Sequence, residues 1–309
     1  MEYRTDRKTS NYEFVPLLEN KEQITEGLEP VYEGKLRLKL HALSPVYIGS
    51  GQEILIEKRL CRATLRNGAG IPIIPGSSMK GTVRTIAQAV SYSAQKCVGT
   101  PSLKQEGSKY ELDTPKQPVK CMCMVCSMFG SMGFAGRVSF SDFAASASDT
   151  EIINVPKPYS QNILKVKHRY FSGYKPKGIK FYYSGDWRSV SGDLPTECIK
   201  AGTDFIGEVV FNGITKHHLE LLCFSLGLDG SFPLRAGGNK AGYFGLLNVE
   251  VIESTCYASG NYNHPSIQMD KRVKADWFEP CKLAALYGKD NHNIMGNIRK
   301  LREILNRRV

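Results

Sequence analysis

The sequence contains no apolar run that approaches the roughly 18 residues needed to span a bilayer, which argues against a helical membrane protein. No apolar stretch follows the first residues, Met1 to Lys8, so we expect no secretory signal and a cytoplasmic protein. The spacing Gly-x4-Gly-Lys-Ser/Thr is absent, which excludes a P-loop nucleotide site. No internal repeat or low-complexity segment is present, and the length allows one large or two modest globular domains.

Acidic residues are outnumbered by basic ones. The 309 residues include 41 Lys and Arg against 30 Asp and Glu, a formal net charge of +11. A surplus of this size usually indicates a polyanionic partner, most often nucleic acid, and a merely basic soluble protein is the alternative. Nine cysteines in a cytosolic protein indicate metal or thiol chemistry rather than disulfides.

A helix start with anion-binding character follows the sequence Pro-Gly-Ser-Ser. An apolar, proline-bounded run is extended, and the spacing after it predicts a helix over about residues 78–94. Ser77 or Ser78 is placed to cap this helix, whose free N–H groups and dipole favour an anion. Lys80 and Arg84 lie on one face and add two cations. The pattern predicts a phosphate site, and a capped surface helix with solvated cations is the alternative.

A glycine-rich loop at residues 235–245 has a similar character. Glycines let a backbone approach a phosphate closely, and basic residues neutralise its charge. A strand rather than a helix is predicted after the loop, so a dinucleotide site is excluded and a plain glycine-rich turn is the alternative. The residues that we predict to contact phosphate here are Arg235, Gly237, Gly238, Asn239 and Lys240.

Cations alternate with aromatic residues between residues 165 and 183. Aromatic rings stack on unpaired bases while cations follow the phosphates, which is how single-stranded RNA is held without sequence readout. We predict that Lys167 and Arg169 contact RNA in this way. Packing of the rings within the protein is the alternative.

Four cysteines are spaced as metal ligands. Cys123 and Cys126 have the C-x-x-C spacing that places two thiolates at adjacent corners of a zinc tetrahedron, and Cys121 precedes them by two residues. Cys97, just beyond the predicted helix, is the fourth candidate. Four thiolates leave no open position for water, so we predict a structural zinc ion that closes an insertion at residues 97–133. Free, partly buried thiols are the alternative.

The order of the predicted elements indicates the fold class. Leu36, Leu38 and Leu40 alternate with polar residues, which is typical of a half-buried strand. The pattern predicts an α+β protein with a ferredoxin-like (RRM-type) βαββαβ sheet and long insertions. The further predicted elements are strands at residues 137–143, 206–211 and 246–252 and helices at residues 78–94 and 216–226.

We divide the chain into an N-terminal arm at residues 1–33, an RRM-like domain at 34–253 and a C-terminal extension at 254–309. The domain includes the insertion at 97–133 and an aromatic and basic excursion at about 155–203, which we expect to be a long loop or hairpin. Residues 293–309 form a basic amphipathic pattern that predicts a helix docked on its own domain.

Several motifs together resemble a known family. The sequence Pro-Gly-Ser-Ser-x-Lys-Gly-x-x-Arg at residues 75–84 follows Ser-Pro-Val-Tyr-Ile-Gly-Ser-Gly at residues 44–51. The motifs resemble those of the CRISPR-associated RAMP superfamily and extend from about residue 34 to about residue 253. The other matching segments are Gly-Arg-Val-Ser-Phe-Ser-Asp at 136–142, Lys-Gly-Ile-Lys-Phe-Tyr-Tyr at 177–183 and the glycine-rich loop at 235–245.

The resemblance implies an RRM-like backbone or capping subunit of a type III RNA-guided effector complex, which acts in antiviral defence. The implied ligands are a guide RNA, held in part by the glycine-rich loop, and a target RNA paired to the guide. The implied protein partners are other RAMP subunits and a large polymerase-like subunit.

The resemblance also bears on catalysis. RAMP subunits that cut target RNA carry an aspartate between the first strand and the Pro-Gly-Ser-Ser helix. Residues 49–75 contain no aspartate, and their acidic residues are Glu53 and Glu57. We therefore expect a subunit without nuclease activity. The alternatives are an endoribonuclease of the same superfamily, with His41 and His168 as candidates in a guide-processing type, and a stand-alone zinc-stabilised RNA-binding protein.

Overall fold

The computed structural model describes residues 11–18, 31–56, 58–93, 95–114, 123–157, 163–259 and 273–308. The strands are β1 (Tyr12–Val15), β2 (Val31–Ala42), β3 (Gly49–Ile56), β4 (Arg59–Thr64), β5 (Ile73–Ile74), β6 (Ser102–Glu106), β7 (Lys109–Asp113), β8 (Val138–Phe140), β9 (Phe143–Ala145), β10 (Thr150–Val155), β11 (Phe171–Ser172), β12 (Lys175–Pro176), β13 (Ile179–Tyr182), β14 (Leu194–Ile199), β15 (Asp204–Thr215), β16 (Leu234–Arg235), β17 (Leu246–Ser259) and β18 (Val273–Lys274). The helices are α1 (Gly76–Ala89), α2 (Gln95–Val98), α3 (Met124–Phe129), α4 (Lys167–Tyr170), α5 (Lys216–Ser225), α6 (Pro280–Leu286) and α7 (His292–Asn306).

The largest sheet contains the strands that the sequence pattern predicted. Its order is β16-β17-β2-β15-β9-β5, and β8 also pairs with β15 while β18 pairs with β17. The central strand β2 is antiparallel to both β15 and β17. Leu36, Leu38 and Leu40 on β2 are fully buried, which confirms the predicted half-buried strand. Helices α1 and α5 contribute their apolar residues to the same core, so the α+β class is confirmed.

A second sheet, in the order β10-β14-β4-β3, was not predicted. Strand β14 is antiparallel to β10 and parallel to β4. Its Glu197 is buried and accepts hydrogen bonds from Thr64 N (3.0 Å) and Thr150 Oγ1 (3.0 Å), and it pairs with Arg66 Nη2 (2.6 Å). Residues 155–203 therefore contain strands as well as loops. Strands β11 and β12 form a short hairpin, whereas β13 and β14 were missed because their partners, β1 and β10, are distant in sequence.

The insertion and the excursion contact each other. The hairpin β6–β7 belongs to the insertion, and Leu103 N on β6 donates to the Tyr174 carbonyl (2.9 Å). Lys167 Nζ on α4 lies 3.1 Å from the centroid of the Tyr110 ring on β7, a cation–π contact. The β6–β7 hairpin therefore holds the start of α4.

Helix α1 begins earlier than predicted. Its N-cap is Pro75, with no side-chain cap, so the prediction that Ser77 or Ser78 caps it is wrong. Instead, the first N–H of the helix, Gly76 N, donates a hydrogen bond to Oδ1 of Asp142 (2.8 Å). Asp142 lies between β8 and β9 in the sequence. The helix ends at Ala89 rather than near residue 94, because residues 91–93 are a Ser-Tyr-Ser sequence of low helix propensity.

Part of the predicted N-terminal arm belongs to the folded body. Strand β1 is antiparallel to β13, with Tyr12 opposite Tyr182, and Val15 is fully buried. Asn11 Nδ2 donates to the Ala241 carbonyl in the glycine-rich loop. This strand was missed because its partner lies far along the chain. It therefore supports the loop that the sequence predicted to bind phosphate.

Helix α7 packs on the rest of the chain, as expected. Asn297 Nδ2 donates to the carbonyls of Ala89 (2.6 Å) and Pro16 (2.8 Å), and Arg302 Nη2 pairs with Asp229 Oδ2 (2.6 Å). In the described part of the chain, no helix is long and apolar enough to cross a membrane.

Candidate nucleic-acid interface

Two segments that are far apart in sequence form the walls of one cleft of about 580 Å³. The first turns of α1 supply one wall and the glycine-rich loop supplies the other, with Lys180 of β13 at the side. Six of the predicted phosphate-binding residues line this cleft: Ser77, Ser78, Arg235, Gly237, Gly238 and Lys240.

Arg235 is buried in the cleft wall, with 6% of its surface exposed. Its Nη1 donates to the Lys240 carbonyl (2.9 Å) and its Nη2 to the Tyr183 carbonyl (2.9 Å). Among the described residues its buried Nε has no hydrogen-bond partner. Burial lowers the pKa of the guanidinium to about 10, so it is still charged at neutral pH. Arg235 thus fixes the loop and places a positive charge in the cleft wall.

Lys240 adds a second cation beside Arg235. Burial, and then the charge of Arg235, lower the pKa of its ammonium group. None of the described residues that line the cleft is acidic. Arg235 is buried and Lys240 is half-buried. Since buried charges are normally paired, these two adjacent cations without a carboxylate favour an anion in the cleft.

The glycines of the loop have a packing role that the sequence did not indicate. A Cβ atom on Gly237 would lie 2.4 Å from the Tyr47 carbonyl oxygen, at a φ of +87°. Gly238 N donates to that same carbonyl (2.8 Å). The loop therefore lies directly on the turn that follows β2, and its backbone position is fixed by the protein itself.

The start of α1 contributes less to anion binding than predicted. Asp142 already accepts a hydrogen bond from the first N–H of the helix and places a carboxylate at the positive end of its dipole. The preference for an anion therefore depends mainly on the cations of the loop and of β13. Asp142 was missed as a cap because it lies 66 residues from its partner.

Other predicted RNA contacts lie outside this cleft. Asn239 lines a neighbouring pocket, in the left-handed conformation with φ of +50°. Arg84 Nη2 lies 3.6 Å from Cys126 Sγ, and the pKa of Lys80 is lowered by burial and by Arg84. Lys167 and Arg169 belong to α4, where Lys167 contacts Tyr110. RNA contacts of all the predicted residues, inside and outside the cleft, remain predictions.

Three of the four predicted metal ligands come together. The sulfur atoms of Cys97, Cys123 and Cys126 lie within 4.8 Å of one another, and all three residues are buried. A zinc ion with Zn–S bonds of about 2.3 Å separates its sulfur ligands by about 3.8 Å, so the cluster fits a metal. Arg84 donates toward Cys126, which suits a thiolate. Cys121 lies outside the described residues.

Those candidate catalytic residues that the structure describes neither line the cleft nor belong to the cysteine cluster. Glu53 is an exposed residue of β3 opposite Arg62, and Glu57 lies outside the described residues. His41 Nδ1 lies 2.7 Å from Asp204 Oδ1 on the exposed face of the large sheet. His168 is exposed on α4. Within the described chain, neither histidine lines the cleft.

Two of the comparisons with known proteins found a match. A solved chain titled "Type IV-B CRISPR Complex" is similar at 15% identity with a TM-score of 0.39, and the alignment covers 76% of this chain and 96% of that chain. No curated protein matches the sequence at a significant level. The family model of the RAMP superfamily matches residues 39–253, well over half of the chain. The chain therefore belongs to the RAMP superfamily.

Proposed function

We propose that this protein is a guide-RNA-binding backbone or capping subunit of a type III CRISPR effector complex in the cytoplasm. Its ligands are the guide and the target RNA paired to it, and its partners are other RAMP subunits and a large polymerase-like subunit. Membership of the RAMP superfamily supports this role. The observation that carries it is the cleft in which buried Arg235 and half-buried Lys240 lie beside each other without an acidic neighbour among the described lining residues.

The arrangement of the strands supports the proposed fold. The strands β17, β2, β15 and β8/β9 are adjacent and antiparallel in that order, which supports a ferredoxin-like module. We place this module at residues 34–253, with the insertion at 97–133 held by zinc through Cys97, Cys121, Cys123 and Cys126.

The first test introduces a negative charge into the cleft. Ser78 lies in the first turn of α1, where an aspartate stabilises a helix. Ser78→Asp is therefore expected to fold normally but to weaken binding of unrelated single-stranded RNAs by about tenfold or more, because like charges 4 Å apart near a protein surface repel by about 4 kcal/mol. Fluorescence anisotropy with labelled RNA measures the affinity.

A matched control makes the same charge change elsewhere. Asn293 is an exposed residue in the first turn of α7, and Asn293→Asp should leave RNA affinity within about twofold of the unchanged protein. Equal affinities of the two variants would show that the cleft does not bind RNA.

The second test concerns cleavage. We expect an assembled complex with divalent metal to leave guide-complementary RNA uncut at the position that this subunit covers, because residues 49–75 offer no aspartate. End-labelled target mapped to single nucleotides measures this. A product that disappears in a Glu57→Ala or Glu53→Ala complex that still binds target would show that a glutamate acts there.

The guide-processing alternative depends on one observation, the contact between His41 and Asp204. A carboxylate that orients a histidine is typical of general acid–base chemistry. We do not favour it, because three cross-strand pairs of the same sheet face share this arrangement, including Lys39 with Glu250 and Lys35 with Glu208. Loss of precursor cleavage in a His41→Gln variant would support the alternative.

A further inference from the structure

A second pocket adjoins the cleft and shares Tyr182 of β13 with it. It has a volume of about 730 Å³ and lies between β1, the end of β10, α4 and the glycine-rich loop. Lys180 and Lys240 line both the cleft and this pocket. A strand of RNA in the cleft is therefore next to the pocket entrance.

Four tyrosines form much of the pocket wall: Tyr12, Tyr47, Tyr170 and Tyr182. We call it the tyrosine pocket. The ring centroid of Tyr12 lies 6.1 Å from those of Tyr170 and Tyr182, and all four residues are half-buried. Half-buried rings keep part of their surface available to a flat ligand, and burial raises the pKa of the Tyr47 and Tyr170 hydroxyls, so both remain donors at neutral pH.

The charges that line the tyrosine pocket all have one sign. Lys180 Nζ lies 4.8 Å from the ring centroids of Tyr12 and Tyr182. None of the described lining residues is acidic, and the buried Nδ2 of Asn239 has no hydrogen-bond partner among the described residues. The cations of the lining are Arg62, Lys157, Lys180 and Lys240.

A ligand that matches this wall is both flat and anionic. A nucleobase satisfies the rings, since stacking on aromatic side chains tolerates any base, and a phosphate satisfies the cations. The pocket volume of about 730 Å³ lies within the range of ordinary small-ligand sites.

We propose that the tyrosine pocket binds one unpaired nucleotide, with the base against a tyrosine ring and the phosphate near Lys180 and Lys240. This inference rests on the proposed function, because the nucleotide would branch from a strand in the cleft. The same chemistry fits a free nucleoside monophosphate, so the experiment separates the two sources.

The experiment uses single-stranded RNAs with 2-aminopurine at one position each, since stacking quenches its fluorescence. In the full-length protein, one position is expected to be quenched. Tyr170→Leu and Tyr182→Leu should abolish the quenching and weaken binding about tenfold, whereas Tyr170→Phe and Tyr182→Phe, which keep the ring, should preserve both. Adenosine 5′-monophosphate is titrated in parallel. Its binding, lost in the leucine variants, would assign the pocket to free nucleotides.

A surface variant guards against misfolding of the leucine variants. Lys157 is exposed at the pocket, and Lys157→Glu should also reduce the quenching, whereas Lys200→Glu, exposed elsewhere, should not. If Ser78→Asp weakens RNA binding but neither quenching nor monophosphate binding depends on Tyr170, Tyr182 or Lys157, the tyrosine pocket inference is wrong and the cleft stands. If Ser78→Asp also has no effect, both proposals fail.

Discussion

Replacement of Cys126 by serine is expected to release one zinc ion per chain and to open the insertion at residues 97–133. The Cys126 sulfur lies within 4.8 Å of the Cys97 and Cys123 sulfurs, and serine is a poor ligand for zinc in a thiolate site. In zinc-finger peptides the metal contributes about 10–16 kcal/mol of apparent binding energy at neutral pH, so loss of one ligand has a large effect.

Loss of the zinc ion is expected to disturb the packing of α3 in the core. Val125 and Met128 on α3 are fully buried, and Ser127 Oγ lies 2.9 Å from Nε2 of His218 on α5. Burial lowers the pKa of His218 to about 4, so at neutral pH this is a contact between neutral groups that needs α3 in place. Metal analysis and limited proteolysis measure the two effects.

Replacement of a cysteine outside the cluster is the control for this experiment. Cys281 is exposed on α6, and Cys281→Ser should retain the metal and the proteolysis pattern of the unchanged protein. Cys121→Ser should behave like Cys126→Ser if Cys121 is the fourth ligand. Absence of zinc from protein purified without chelator would exclude the site.

The sequence predicted those elements whose signal is local. Leu36, Leu38 and Leu40 alternate within one strand and α5 has an apolar stripe, so the C-terminal half of β2 was found and α5 was found near its true limits. The cysteine spacing likewise predicted that Cys97, Cys123 and Cys126 lie close together, as they do in the structure. In each case the residues that produce the pattern also make the contact.

The sequence did not predict features that depend on distant partners. The carboxylate that accepts the first N–H of α1 belongs to Asp142, between β8 and β9, and no rule of local spacing connects it to Gly76. Strand β3 is largely exposed and lacks a clear alternation of apolar and polar residues, so the sequence pattern did not predict this strand of the second sheet. The loop glycines were assigned to phosphate approach, whereas Gly237 and Gly245 lie against the protein's own backbone.

Gly245→Ala is expected to disorganise the glycine-rich loop and to weaken RNA binding strongly. Gly245 has a φ of +77°, and a Cβ atom there would lie 1.8 Å from the Ala236 carbonyl oxygen. Its backbone joins the loop to the turn after β2 and to the start of the loop itself, since Gly245 N donates to Pro45 O (2.9 Å) and Ala236 N donates to Gly245 O (2.9 Å). An added methyl group must therefore push Gly245 and Ala236 apart and disturb both of these hydrogen bonds.

Gly70→Ala separates this clash from backbone strain. Gly70 has a φ of +76°, and a Cβ atom there would meet nothing within 4 Å. The shared left-handed conformation should cost each variant about 1–2 kcal/mol, and the clash should cost Gly245→Ala about 1–3 kcal/mol more. Denaturant unfolding measures the difference, and RNA anisotropy should show a loss of affinity in Gly245→Ala alone, because Arg235 and Lys240 would move. Equal stability and equal RNA affinity of the two variants would mean that the loop relaxes around the methyl group and that its position does not govern the cleft.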